Sequence, residues 1–194
     1  MDFLNNVRQE IIKIRKKLVA LTCACLYLYA SLYPAYADEA PRQLEQKIKA
    51  GLVYNLLKYT TWPKESAATK KDELQVCLFG DDPFDGYLAP LQGRTAQQFL
   101  ISITHVKQVS ETDLCNVVII HRSQEKRLSE LLDYLNDKHI LTISDIGQFA
   151  HRGGMIEMAK EDEKISLYVN KDAIDQAGLD IEGHMLKLAK IVSR

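Results

Sequence analysis

From residue 43 onward the apolar positions fall into short blocks whose spacing changes along the chain. Leu44, Ile48, Leu52, Leu56 and Tyr59 recur at helical spacing, and Val53 and Leu57 widen that stripe. The pattern predicts a well-buried helix over Gln43–Tyr59, ended by Pro63 after Trp62. Residues 64–73 are polar and read as a loop. Leu74–Phe79 is a short apolar run closed by Gly80, the pattern of a buried strand. Asp82 and Pro83 then predict a short helix, with Asp82 as its cap and Pro83 at its first position, stopped before Pro90. Phe99–Val106 reads as a second strand with Ile101 and Ile103 on one face, and Val117–Ile120 as a third. Ser123 precedes a helix on which Leu128, Leu131, Leu132 and Leu135 share a face. Ile140–Ile143 is a fourth strand, followed by a loop over 144–154. Met155–Ala159 and Ile165–Val169 flank an acidic, polar connection, which is a hairpin pattern. Asn170 caps a helix to Ala177 that Gly178 ends, and a last helix is expected over Ile181–Val192. Strands alternating with helices predict a single three-layer α/β domain. Its sheet is expected to be mostly parallel, with a C-terminal hairpin and helices on both faces.

The first 37 residues follow a different rule. Arg15, Lys16 and Lys17 precede an apolar run, Leu18–Tyr33, and Pro34 leads to Ala35-Tyr36-Ala37 before Asp38 and Glu39. Cations, an apolar stretch and a small-x-small site are the parts of a secretory signal, so residues 1–37 read as a signal peptide cleaved after Ala37. The competing reading is an uncleaved anchor, but the run falls short of the ~20 residues a spanning helix needs. Cys23 and Cys25 lack the flanking residues of a lipoprotein signal. Each of these readings puts the remaining domain, residues 38–194, outside the cytoplasm.

Composition sharpens the picture. The 194 residues carry 25 basic and 26 acidic side chains, and 46% are apolar, the balance of a globular domain. Without residues 1–37 the counts become 20 and 24, a net charge of −4. That argues against a nucleic-acid partner, which calls for a basic surplus. Two cysteines remain, Cys77 and Cys115, with 37 residues between them. In an oxidising compartment such a pair usually forms one disulfide, worth roughly 3–4 kcal/mol if unstrained; the alternative is two buried thiols.

Candidate chemistry is sparse. The sequence has no G-x-G-x-x-G, P-loop lysine or G-x-S-x-G motif, and His105, His121, His139, His151 and His184 form no metal-ligand spacing. No cofactor or metal is expected. Asp81 and Asp82 follow a strand's carboxyl end, where open α/β sheets bind ligands, but a helix cap explains them as well. Ser144, Asp145 and His151 are close in sequence, which a catalytic device requires in space rather than in order. His151-Arg152-Gly153-Gly154 offers an anion nest or a hairpin entry. Phe149, Met155 and Met158 are candidates for an exposed partner-binding patch with Glu161, or else for satellite core packing.

Four segments together resemble the YfiR family of periplasmic proteins. They are Val53–Tyr59 leading to Trp62-Pro63; Gly80-Asp81-Asp82-Pro83-Phe84 with Leu91–Arg94; Leu141–Asp145 running through Phe149-Ala150 to Gly153-Gly154-Met155-Ile156; and Tyr168-Val169-Asn170 with Ala177-Gly178-Leu179 and Leu186–Ala189. The resemblance implies a non-enzymatic regulator that restrains an inner-membrane diguanylate cyclase by binding its periplasmic region, and hence a place in cyclic-di-GMP signalling. It further implies sequestration by an outer-membrane peptidoglycan-associated lipoprotein, a homodimer, and a core disulfide matching Cys77 and Cys115. Some members carry a second, redox-sensitive cysteine pair near Ile143–Arg152, which this chain lacks. The alternative function is a periplasmic small-molecule sensor, with a pocket between Gly80–Phe84 and Ser144–Phe149. An enzyme built on Asp82, Asp145 and His151 would need those three groups to converge.

Overall fold

The computed structural model describes residues 2–30, 39–66, 72–162 and 164–192. It divides into two compact units, residues 1–43 and 44–194. The first holds α1 (Asp2–Ala30), whose side chains from Lys13 to Tyr27 are exposed. Among the described residues no helix is long and apolar enough to cross a membrane. The expected cleavage site after Ala37 lies outside the described residues.

The second unit is built on an eight-stranded sheet. Its strands are β2 (Glu73–Phe79), β3 (Thr95–Ala96), β4 (Phe99–Val106), β5 (Val117–Ile120), β6 (Leu141–Ser144), β7 (Ile156–Glu161), β8 (Lys164–Asn170) and β10 (Ala189–Val192). They lie in the order β10-β8-β7-β6-β5-β2-β4-β3. Only the β3–β4 and β7–β8 pairs are antiparallel; the others are parallel. A separate antiparallel pair joins β1 (Thr60–Thr61) to β9 (Asp180–Ile181). The helices are α2 (Glu39–Tyr59), α3 (Leu128–Leu135), α4 (Lys171–Gln176) and α5 (Gly183–Leu186). This is the expected α/β fold with a mostly parallel sheet and a late hairpin.

Alternation along the strands sorts the core into two layers. Leu74, Val76 and Leu78 of β2, Val117 and Ile119 of β5, and Leu141 and Ile143 of β6 pack with Val53, Leu56 and Leu57 of α2. On the opposite face Cys77, Phe79, Val118 and Ile120 pack with Leu128, Leu131 and Leu135 of α3. Parallel strands need this cover on both faces, which is why β5 and β6 are buried at every position.

Three local expectations are corrected. Residues 83–88 form turns rather than a helix, because Asp85 (φ 49°) and Gly86 (φ 83°) are left-handed and a right-handed helix cannot pass through them. Ser123 does not cap α3; a 3₁₀ segment, Arg122–Arg127, comes first, capped by His121, whose Nδ1 accepts the Ser123 N–H at 3.1 Å. The final helix stops at Leu186, and Ala189–Val192 pairs in parallel with Leu167–Asn170. The backbone groups open along β8 favour a strand there, and β-branched Ile191 and Val192 suit it.

The buried face of α2 is also rotated from expectation. Leu44 and Ile48 are 59% and 42% exposed, whereas Gln46 and Lys49 are buried.

Candidate functional site

The segments that carry the resemblance are spent on holding the fold. Asp82 accepts the Phe84 and Gly86 N–H groups, each at 2.8 Å, closing the turn after β2. Trp62 donates its indole N–H to the Asn116 carbonyl at 3.3 Å. In the loop after β6, Phe149 and Ala150 are wholly buried. The buried Glu157 carboxylate accepts the Gln148 and Ala150 N–H groups at 3.0 and 3.2 Å. Asn170 donates to the Ala150 carbonyl at 2.9 Å and accepts the Ala173 N–H at 3.0 Å, so one side chain anchors the loop and caps α4. A Cβ on Gly154 would lie 2.2 Å from the Phe149 ring, so only glycine lets that ring seat.

The expected exposed patch is therefore corrected. Phe149, Met155 and Met158 are 0%, 7% and 2% exposed and belong to the core. Met158 and Met155 pack with the α2 layer, and Phe149 with the α3 layer. The loop folds back under its own hydrogen bonds, which carries these side chains inward. Met155 lines a small cleft between α3 and α4, of about 70 Å³, with Leu132, Gly153, Asn170 and Gln176.

Glu161 is 38% exposed, and its carboxylate is engaged. Lys190 of β10 donates to both oxygens at 2.8 and 2.7 Å, and Ser166 and Tyr168 of β8 donate as well. Lys190 foremost, then Ser166 and Tyr168, hold the Glu161 carboxyl down to about 2. The same contacts raise the Lys190 ammonium above its ordinary value.

Asp82, Asp145 and His151 are each engaged elsewhere. Asp82 closes its turn. Asp145 accepts Lys49 of α2 at 3.2 Å and Arg122 at 3.0 Å. The His151 ring lies beside Tyr168, with centroids 6.3 Å apart. Ser144 donates to the Ile120 carbonyl and accepts the Ile146 N–H, the work of a strand end. Among the described residues no group of three or more His, Cys, Asp or Glu is placed to hold a metal ion.

Sequence reasoning missed Lys49. Its side chain is 4% exposed, and its ammonium bridges Glu45 at 2.8 Å and Asp145, tying α2 to the carboxyl end of β6. Burial pushes the Glu45 carboxyl up, but hydrogen bonds to Lys49 and Lys160 outweigh it and hold the group below its ordinary value. The available signal was the row Gln46, Lys49, Ala50, Val53, Leu57, which has helical spacing but a polar start. Cys77 and Cys115 form a disulfide with Cα atoms 5.9 Å apart, joining β2 to the entry of β5. Of the two possibilities the sequence leaves open, the structure takes the bridge.

Among the described residues of the second unit, the large exposed apolar side chains are Leu44 and Ile48 of α2, Leu100, Leu114, Leu188 and Ile191. Leu44 and Ile48 stand one turn apart, with half-buried Leu52 continuing the row.

No curated protein matches the chain. Among solved structures, an ABC domain in complex with L-Trp from Streptococcus pneumonia aligns at a TM-score of 0.46 and 8% identity. The alignment covers 66% of this chain and 60% of that one. The profile of the YfiR/HmsC-like proteins, which are periplasmic, regulatory and non-catalytic, matches residues 46–190. That match takes in α2 from Gln46 onward, the sheet as far as Lys190 of β10 and every segment that carries the resemblance, and the chain belongs to the YfiR/HmsC-like family.

Proposed function

We propose that the chain is a periplasmic binding protein that holds an inner-membrane diguanylate cyclase inactive by engaging the cyclase's periplasmic sensor region. The observation that carries this reading is the family match over residues 46–190. The engagement of Asp82, Asp145 and Glu157 in loop and ion-pair contacts agrees with a protein that acts by binding. An outer-membrane peptidoglycan-associated lipoprotein that competes for the protein, and a homodimer, complete the reading. Export relies on the leader at residues 1–37.

The contact surface in this reading is the row Leu44, Ile48 and Leu52 on α2, since an apolar row left open on a charged helix suits a partner. Met155 and Met158 lie in the core layer beneath α2, Phe149 lies in the layer on the opposite face of the sheet, and Glu161 can meet a partner only by sharing its carboxylate with Lys190.

The test is intracellular cyclic-di-GMP in a parent strain, a deletion strain and strains complemented with exported wild type or Ile48→Glu. The expected result is a rise on deletion that wild type reverses and Ile48→Glu does not. Unchanged cyclic-di-GMP on deletion, with the protein expressed, would overturn the cyclase reading. Full reversal by Ile48→Glu would move the contact off α2.

A further inference from the structure

Helix α3 covers only part of its face of the sheet. Beyond it the outward side of β2 and β4 is open, and a groove of about 440 Å³ runs there. Its floor is Glu73, Gln75 and Cys77 of β2 with Ser102 and Thr104 of β4. Glu111 and Leu114, from the 3₁₀ segment Val109–Leu114, form one wall. The volume lies within the roughly 300–1,000 Å³ of small-molecule sites.

One side chain in this lining is unsatisfied. Asn116 is 1% exposed, and its Oδ1 accepts the Gln75 N–H at 2.9 Å. That bond fixes which end of the amide is nitrogen. Its Nδ2 is buried without a hydrogen-bond partner. Strand alternation puts Asn116 on the face of Val118 and Cys77, the groove side. The backbone prevents withdrawal: the Asn116 N–H donates to the Gln75 carbonyl at 2.8 Å, and its own carbonyl accepts Leu141 N–H and Trp62. The disulfide at Cys115 holds the preceding residue. A buried donor kept in place without a partner asks for an acceptor from outside.

The remaining lining defines what that acceptor belongs to. Glu73 and Glu111 are carboxylates, His105 adds an imidazole, and among the described residues no Lys or Arg lines the groove. Glu111 accepts the Gln108 and Lys107 N–H groups through one oxygen, Oε2. Leu114, 62% exposed, and Val106 offer apolar contact. Ser102, Thr104 and Gln75 supply neutral polar groups along the floor. A carbonyl for Asn116, a cation for the carboxylates and a modest apolar part describe one class of ligand.

We propose that this groove binds a short cationic peptide of two or three residues. The peptide carbonyl accepts the Asn116 amide, and a basic side chain meets Glu73 and Glu111. The inference stands apart from the cyclase reading, because it uses neither α2 nor the family.

The test titrates the ¹⁵N-labelled chain, lacking residues 1–37, with Lys-Ala-Ala and separately with Glu-Ala-Ala. The same titrations are made on Thr104→Trp and on Glu73→Gln/Glu111→Gln. Thr104 is exposed and Glu73 half-buried, so Thr104→Trp plugs the groove without touching the core. Expected are saturable shifts at Ser102–Val106 and at the Asn116 side-chain amide with the basic peptide only. Affinity should fall about tenfold or more in both variants. No shifts at millimolar peptide, equal response to Glu-Ala-Ala, or unchanged binding by Thr104→Trp would overturn the proposal. Shifts that follow protein concentration instead of peptide would also overturn it, assigning the groove to contact between copies.

Discussion

Gly154 shows how one missing side chain organises the loop behind α3. The Phe149 ring occupies the space where a Cβ would stand, and the Phe149 carbonyl accepts the Gly154 N–H at 2.9 Å. Gly154→Ala should therefore force the ring or the loop to move and lower stability by about 2 kcal/mol or more, read as a drop in urea midpoint. Phe149→Ala removes a wholly buried ring and should cost about 3–5 kcal/mol. The two losses should be far from additive, because the alanine at 154 no longer meets a ring once Phe149 is gone. Additive losses would mean that the two residues act separately. In the proposed reading, any change in cyclic-di-GMP caused by either variant should track its loss of folded protein, since the Phe149 ring is wholly buried. The sequence marks this loop through its Gly-Gly and its aromatic, but it cannot say which way the aromatic faces. That depends on Glu157 and Asn170, which arrive from neighbouring strands to hold the loop backbone.

Helix α2 shows what periodicity resolves and what it leaves open. Its extent was legible, and so were β2, β4, β5 and the hairpin, because their apolar runs are bounded by Gly, Pro or charge. Its buried face was not. Two stripes on this helix carry apolar groups, and the one starting at Leu44 has more of them in register. The observed face wins because Lys49, paired with Glu45 one turn back, also finds Asp145, a long-range pairing that no local window contains. The β10 strand was missed for a related reason: four residues are too few to outvote a helical pattern until the open edge of β8 is known. Asn116 was missed because its importance lies in a bond it fails to make. The face assignment predicts opposite outcomes for substitutions on one helix. Ile48→Lys should leave stability within about 0.5 kcal/mol of wild type, as surface changes do. Lys49→Ala leaves Asp145 buried with Arg122 alone and should cost about 3 kcal/mol. Chemical denaturation of both variants checks the pair; equal costs would return the buried face to the Leu44 stripe.

Across the whole domain, two ties cross between strands and respond to different solution conditions. Glu161 joins β7 to β8 and β10 through Ser166, Tyr168 and Lys190. Its folded carboxyl titrates near 2, below its ordinary 4.5, so the folded state holds the proton less tightly than the unfolded chain. The stability it contributes is complete above about pH 4.5 and is lost as pH falls through about 2. Glu45, Glu111 and Asp113 are lowered as well and act in the same direction. The urea midpoint should therefore fall on acidification, and Glu161→Gln should flatten that fall. A parallel acid profile in Glu161→Gln would show that the cluster does not hold β10. The disulfide answers to reductant rather than to protons. It closes a loop between β2 and β5, which the chain-entropy account values at roughly 3–4 kcal/mol, equivalent to a melting shift of about 10 °C. Both cysteines are at most 2% exposed, so reductant must wait for the strands to part. Under native conditions reduction should be slow, and it should accelerate in low urea well before global unfolding if the open groove beside β2 is where the sheet loosens first. Melting after full reduction should match that of Cys77→Ala/Cys115→Ala, while the time taken to reach it measures how often this face opens. Immediate reduction without denaturant would mean that the groove side of β2 is already frayed, and a ligand seated there should then slow the reaction.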